Sequence, residues 1–567
     1  MQLNASSIIA HWPPGLPKRL TLPATSLVTH ADIAAHRFPR KPFILFYGRA
    51  ITFADFHAQV ERVAGFLQHV CGVQDGDRVM ICMQNCPQWI IAYYAILRAN
   101  AVVVPVNPMN KTEELGHLVQ DSGARVAVAA QELTPQFRPL LHPADASGQT
   151  GLSHLIVTAY ADFLDDESLK RPLPSWLTSR LCLEALPGLH AWGDAMDQRL
   201  LPGPHTREPD DLCVLPYTSG TTGQPKGCMH THRSVMATAV GGMQWFNRTQ
   251  DSVLLSVLPF FHVTGMTSGM NGPLYVGATI VLMARWDREL AAQLIETHRV
   301  THWQAIAAMV VDFLAHPAID QFHLSSLQGI RGGGAPMPKA VAQRLKTLTG
   351  LDYVEGYGMT ETMAATHINP PHRPKPQCLG IPVFDVDARL VNPDTLVEVE
   401  PGHPGEIVVH GPQVMQGYWQ QPSATEEAFI TLDGKRFLRT GDLARRDEEG
   451  YFFMVDRLKR MINASGYKVW PAEVEAMLYH HPAVHEVCVM GAKDPIRGET
   501  VKAVVILRPE WRDRITPQAL IDWAIGHMAA YKAPRLVAFV DDLPRSGSGK
   551  ILWRELQEQQ NRLDSPT

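Results

Sequence analysis

Between Ile51 and Val106 the spacing of apolar positions switches repeatedly between two periods. Residues 56–70 carry the stripe of an amphipathic helix, and Arg78–Cys82 is a short apolar run of strand type. Pro87–Arg98 is helical again, and residues 102–106 form a second strand. The most apolar stretch, residues 89–97, is cut by Arg98 and Asn100, far short of the roughly 20 residues that span a bilayer. It predicts a buried helix feeding a strand. The same alternation returns over residues 279–283 (strand), 288–298 (helix), 300–303 (strand) and 307–314 (helix), which predicts crossover units on parallel sheets. Residues 142–211, with scattered Pro, Gly and Asp, read as connecting elaboration without a usable motif. A charged run over residues 455–460 follows the aromatic strand 451–455 and marks the expected domain boundary. Beyond it a helix is expected at 471–479, strands at 484–490 and 501–507, and a helix at 517–528, a small α+β module. The predicted class is α/β, with one domain over residues 1–455 and another over 456–567.

Composition narrows the function. A chain of 567 residues is too long for one simple core, and 45% hydrophobic against 19% charged residues is globular composition. A net charge of -5 supplies no global basic field for nucleic acid or an anionic membrane. Eight cysteines without a CxxC pair read as reduced thiols, so a cytoplasmic location is expected. Pro13 and Pro14 interrupt an amino terminus that lacks a basic start and a long apolar core, so no export is expected.

Candidate chemistry is densest at residues 217–227, Tyr-Thr-Ser-Gly-Thr-Thr-Gly-Gln-Pro-Lys-Gly, directly after the apolar strand 212–215. Glycines bare their backbone N–H groups, hydroxyls add donors and Lys226 adds charge, a combination suited to a polyphosphate. The glycine order is not that of a Walker A loop, and Gly227 stands where Ser or Thr should follow the lysine. By composition alone a flexible polar turn fits about as well. His230 and His232 suggest a metal pair, but no further ligands lie at a recognisable spacing, so a zinc site is not expected. No GxSxG or GxGxxG occurs, which removes the usual arguments for a hydrolase or a dinucleotide enzyme.

Five ordered segments together carry a resemblance. The 217–227 loop, Gly356-Tyr357-Gly358-Met359-Thr360-Glu361-Thr362, Arg439-Thr440-Gly441-Asp442, residues 456–466, and residues 544–550 (Pro-Arg-Ser-Gly-Ser-Gly-Lys) resemble the adenylate-forming superfamily of acyl-CoA synthetases, peptide-synthetase adenylation domains and firefly luciferase. The resemblance implies a β-rich subdomain in the large domain and a mobile small one. It implies nucleotide contacts from Thr218, Ser219, Gly220, Thr221, Thr222, Gly223, Lys226, Gly356, Tyr357, Gly358, Met359 and Thr360. Tyr357 would stack on adenine, Thr360 would bond a phosphate oxygen, and Glu361 would ligate Mg²⁺, a hard cation that takes oxygen ligands. Asp442, with Arg457 nearby, would accept the ribose hydroxyls.

The implied reaction activates an acid as acyl-AMP with release of pyrophosphate, then transfers the acyl group to a thiol, coenzyme A being favoured over a carrier protein. Thr218, His262, Thr360, Glu361 and Lys550 are the implied catalytic group. Lys550 would serve the first step, the Ser465-Gly466-Tyr467 edge would meet coenzyme A in the second, and Asp456 would be the hinge between them. Thr264, Met266 and Ser268 after His262, with Trp303, Gly333, Gly334 and Ala335, are nominated for the acyl pocket. Ala307 and Ala308 stand where the family often has Pro-Thr. Small residues and the absence of Lys, Arg or His at these positions favour a monocarboxylic, largely apolar acid of medium or long chain. An aromatic or alicyclic acid, a luciferase-like oxygenase, and a non-catalytic AMP or acyl sensor are the alternatives. The partners expected are the acid, ATP and coenzyme A, with Mg²⁺ as cofactor and a homodimer as the possible assembly.

Overall fold

A computed structural model describes residues 11–142, 151–165, 172–218, 225–464, 467–494, 498–545 and 551–564. The chain divides into two compact units, Met1–Asp387 with Val409–Leu438, and Ala388–Val408 with Arg439–Thr567. Asp456 therefore lies inside the second unit. The chain just before it belongs there because Asp442 to Arg446 pair with Phe452–Arg457, so the hairpin cannot be cut at residue 455.

The first unit carries two large sheets. Among the described residues one has nine strands and the other seven. The centre of the larger is parallel: Pro42–Phe46, Thr279–Leu282, Val253–Ser256, His302–Gln304, Gly329–Gly333 and Tyr353–Met359 lie side by side, with antiparallel partners at both edges. Helix Arg288–Thr297 connects two of these strands, its first turn closed by Asp287, whose carboxylate accepts from Leu290 N at 2.9 Å. The smaller sheet sets Val102–Pro105, Arg78–Cys82, Val126–Ala130, His154–Thr158 and Leu189–Ala191 in parallel. Its last two strands come from the segment that carried no readable motif. Their alternation is too short to stand out between turns, yet residues 155–157 of His154–Thr158 are completely enclosed.

Helix Pro87–Arg98 shows why its apolar run has no polar face. Residues 87–97 are all buried, and Pro87 supplies the helical φ at the first turn without wasting a donor. Among the described residues no helix is long and apolar enough to cross a membrane.

In the second unit, Val484–Asp494 and Gly498–Leu507 form a long antiparallel pair, flanked by Ile462–Ala464 and by a parallel Leu536–Phe539. Strand alternation separates two cores. Val487 and Val489 join Val474, Leu478 and Leu520 on one face, and Cys488 and Met490 join Leu543 and Leu556 on the other.

Candidate active site

In the first unit the site is assembled where three stretches of chain are laced together by backbone. Tyr217–Thr218 and Lys226–Gly227 pair antiparallel, placing Thr218 opposite Lys226 at the mouth of the glycine loop. Ser219, Gly220, Thr221, Thr222 and Gly223 lie outside the described residues. Tyr217 anchors one leg by donating from its hydroxyl to Asp121 Oδ2 at 2.6 Å. The other leg is held by the segment Met415 to Trp419: Trp419 N donates to Gly227 O at 2.8 Å, and Met229 N to Gly417 O at 2.9 Å. The same segment reaches the third stretch through Met415 N, which donates to Glu361 O at 2.9 Å.

Side chains complete the connection. Tyr418 donates from its hydroxyl to Glu361 Oε1 at 3.0 Å, and the Lys226 ammonium lies 5.0 Å from the centre of the Tyr418 ring. Burial and the adjacent Glu361 charge push the phenol pKa up, so Tyr418 keeps its proton and remains a donor. His230 Nε2–H donates to the Thr360 carbonyl at 2.7 Å from a completely buried ring. Burial lowers its pKa to about 4, which keeps the imidazole neutral. His232 is engaged elsewhere, its Nδ1 accepting from Leu27 N at 3.2 Å. The sequence singled out His230 only as half of a rejected metal pair and did not single out Tyr418. A half-buried phenol that needs a partner is the one signal that could have drawn attention to it.

The backbone of the Gly356 to Thr362 segment is tightly specified. A Cβ at Gly358 would lie 1.7 Å from Ala364 O, so only glycine fits the antiparallel crossing. After the turn Thr360–Thr362, both Met363 (φ 46°) and Ala364 (φ 90°) adopt left-handed backbone, a strained pair of the kind found at functional sites. Tyr357 is buried in strand Tyr353–Met359, its ring edge-on to His367 at 5.8 Å. Glu361 is 8% exposed; its carboxylate is a hard oxygen donor and fits a magnesium-bound polyphosphate better than a soft metal.

The nominated acyl positions divide. His262 is exposed at the entry to the short helix Val263–Met266, which runs into a π-helix, Thr267–Asn271. Thr264 and Ser268 are four apart and half-buried, whereas Met266 falls on another side of the helix and is fully enclosed with Trp303 in the main core. Trp303 stacks on Trp286 at 5.6 Å. Gly333 is half-buried at the end of its strand, and Gly334 and Ala335 are exposed beyond it.

In the second unit Asp442 is buried and pairs with Arg457 Nε at 2.8 Å, across the register that sets the two residues opposite each other. Asp456 is 3% exposed, and its carboxylate accepts from Arg457 N at 2.6 Å and from Ala472 N at 2.7 Å. It therefore braces the first turn of helix Pro471–Leu478 and is not a solvated linker residue. Tyr467 lies in the strand Tyr467–Val469, while Ser465, Gly466 and Lys550 lie outside the described residues.

A two-unit α/β chain with this glycine-loop hairpin and a strained Thr-Glu turn defines a nucleotide-dependent acid-activating class. Residues 31–419 match the AMP-binding enzyme family and residues 473–550 the AMP-binding enzyme C-terminal domain, and the chain belongs to this family, the adenylate-forming superfamily. It is 34% identical over 560 residues to a long-chain-fatty-acid–CoA ligase of Bacillus subtilis (strain 168), covering 97% of this chain and 98% of the relative. It is 35% identical over 518 residues to a feruloyl-CoA synthase of an Amycolatopsis species, covering 90% and 94%. Among solved structures, ATP-bound MatB from Rhodopseudomonas palustris superposes with a TM-score of 0.80 at 27% identity, covering 94% of this chain and 100% of that one.

Proposed function

We propose that this protein is an ATP-dependent, AMP-forming acyl-CoA synthetase that activates a medium- or long-chain fatty acid. The observation that carries the reading is the convergence of Lys226 and Glu361 on Tyr418, with Thr360 beside Glu361 held by His230, in a chain related over nearly its full length to a long-chain-fatty-acid–CoA ligase. A carboxylate and a polyphosphate repel each other. Lys226 offsets that charge from the loop side, and Glu361 holds the Mg²⁺ that arrives with ATP as its substrate complex. Tyr418 fixes the Glu361 carboxylate by its hydrogen bond, and His230 fixes Thr360 through its carbonyl, so both reach the nucleotide with little reorganisation.

The remaining assignments follow the resemblance. Tyr357 stacks on adenine, Asp442 accepts from the ribose with Arg457 as its ion-pair partner, and His262 flanks the carboxylate. Lys550 serves adenylation, and the Ser465, Gly466 and Tyr467 edge serves transfer to coenzyme A.

A pyrophosphate-release assay across saturated acids of graded length, with ferulic acid alongside, tests the substrate class. A maximum at medium or long aliphatic acids is expected. A maximum at ferulic acid, the reading favoured by the feruloyl-CoA synthase relative, replaces the fatty acid with an aromatic one.

A further inference from the structure

The first unit buries two cations that no carboxylate of its described residues neutralises. Arg248 follows the helix His232–Trp245, and Arg331 lies in the strand Gly329–Gly333. Each is 5% exposed. Nε and Nη1 of Arg248, and Nη1 and Nη2 of Arg331, have no hydrogen-bond partner among the described residues. Arg331 Nε donates to Gln304 Oε1 at 2.6 Å. Both guanidiniums lie against the same ring, Phe246, at 4.0 Å for Arg331 and 5.7 Å for Arg248.

The surroundings add no negative charge. Gln304 and Arg331 are in register on neighbouring parallel strands, as are His302 and Gly329, so His302, Gln304 and Arg331 project from one face of the sheet. Burial, with Arg248 nearby, lowers the His302 pKa to about 3, leaving a neutral ring. Elsewhere the same chain pairs its less exposed arginines with acids: Arg439 with Glu406 at 2.7 Å, and Arg460 with Glu475.

A buried cation left unpaired loses its hydration without a Coulombic return. Nη1 and Nη2 of Arg331 form its end-on fork, which spaces two N–H groups to match two oxygens of one anion, while Nε and Nη1 of Arg248 lie on opposite edges of its guanidinium and each offer a separate donor.

We propose that Arg248 and Arg331 form a buried oxyanion-binding site that takes a carboxylate, phosphate or sulfate group. Arg331 precedes Gly333, one of the nominated acyl-pocket positions, by two residues on its strand. The oxyanion therefore arrives either free in solution or as a second acid group at the far end of the substrate. The second source rests on the acid-activating reading above.

The test uses the full chain, its R248M and R331M variants, and R331K, which keeps the charge but loses the fork. Melting temperature is followed against phosphate and sulfate at constant ionic strength, and against an α,ω-dicarboxylic acid. Phosphate also suits the glycine loop, so K226A separates the two contributions. A rise that survives K226A, is lost in R248M and R331M, and needs a roughly 10- to 100-fold higher anion concentration in R331K supports the site. A rise with phosphate or sulfate identifies a free anion.

In the activity arm, a far-end acid group predicts that R331M lowers the ratio of diacid to monoacid kcat/KM by roughly 10- to 100-fold. If no acid releases pyrophosphate, the acid-activating reading fails while the melting arm still decides the site. The proposal is overturned if neither anion nor diacid shifts the parent differently from R331M, with R331M melting higher because an apolar chain has replaced an unneutralised cation.

Discussion

Tyr418 holds Glu361. Its hydroxyl donates to Glu361 Oε1 at 3.0 Å while its ring faces the Lys226 ammonium at 5.0 Å, so one side chain touches both the acidic and the basic members of the nucleotide site. Tyr418→Phe keeps the ring and removes only the donor. A hydrogen bond to a charged group contributes about 1.5–3 kcal/mol, so kcat/KM for ATP is expected to fall roughly 10- to 100-fold with the melting temperature little changed. Steady-state kinetics at saturating acid measure this, and parent-like values would remove Tyr418 from the site.

His230 makes stability depend on pH. Its imidazole is neutral when folded, with a pKa of about 4, against an ordinary 6.5 in the unfolded chain. Between those values the unfolded state binds the proton and the folded state does not, so stability falls as pH drops from about 6.5 to about 4. His232 and His367, lowered to about 3, act in the same direction. Chemical denaturation at pH 7 and pH 5 should show the loss, and His230→Gln should flatten part of it. An equal slope in parent and variant would contradict a buried neutral His230.

Much of this was legible in the sequence, because apolar runs of helical or strand length, set between turn residues, report burial. Pro87–Arg98 and Arg78–Cys82 fall at their expected bounds, as does Ala307–Leu314, while the strand expected at residues 300–303 lies at His302–Gln304. The Thr360 and Glu361 turn was legible because the strand leading into it is constrained by contacts a side chain would block, as at Gly358. Tyr418 and Arg331 were not. Each acts through a partner distant in sequence, Glu361 or Phe246, and no local pattern encodes that meeting. Asp456 sits in the charged run that marks the expected boundary, yet its carboxylate is buried because two backbone N–H groups need it.

Asp456→Ala leaves those two donors, Arg457 N and Ala472 N, without their acceptor. A loss of about 1–3 kcal/mol is expected, read as a lower denaturation midpoint with an unchanged slope. A shift below a few tenths of a kcal/mol would mean that the helix Pro471–Leu478 does not depend on this brace.

Lys550→Ala, in the role the resemblance implies, is expected to separate the two half-reactions. Acyl-adenylate formation should drop by roughly 10²–10³, the usual effect of losing one electrostatic contact made in the transition state. Transfer from supplied acyl-adenylate to coenzyme A should persist. On an exposed loop without a catalytic role the same change would alter stability by less than about 0.5 kcal/mol and leave both rates intact.

In the proposed reaction a substrate carboxylate attacks the α-phosphorus of ATP. A fatty acid labelled with ¹⁸O in both carboxylate oxygens, incubated with the enzyme, MgATP and coenzyme A, tests it by mass spectrometry of the products. The bridging oxygen of the acyl-adenylate leaves with AMP when the thiol displaces it, so the account predicts one ¹⁸O in AMP for each acyl-CoA formed and none in pyrophosphate. Label in inorganic phosphate, with ADP as the nucleotide product, would show attack at the γ-phosphorus and contradict the account.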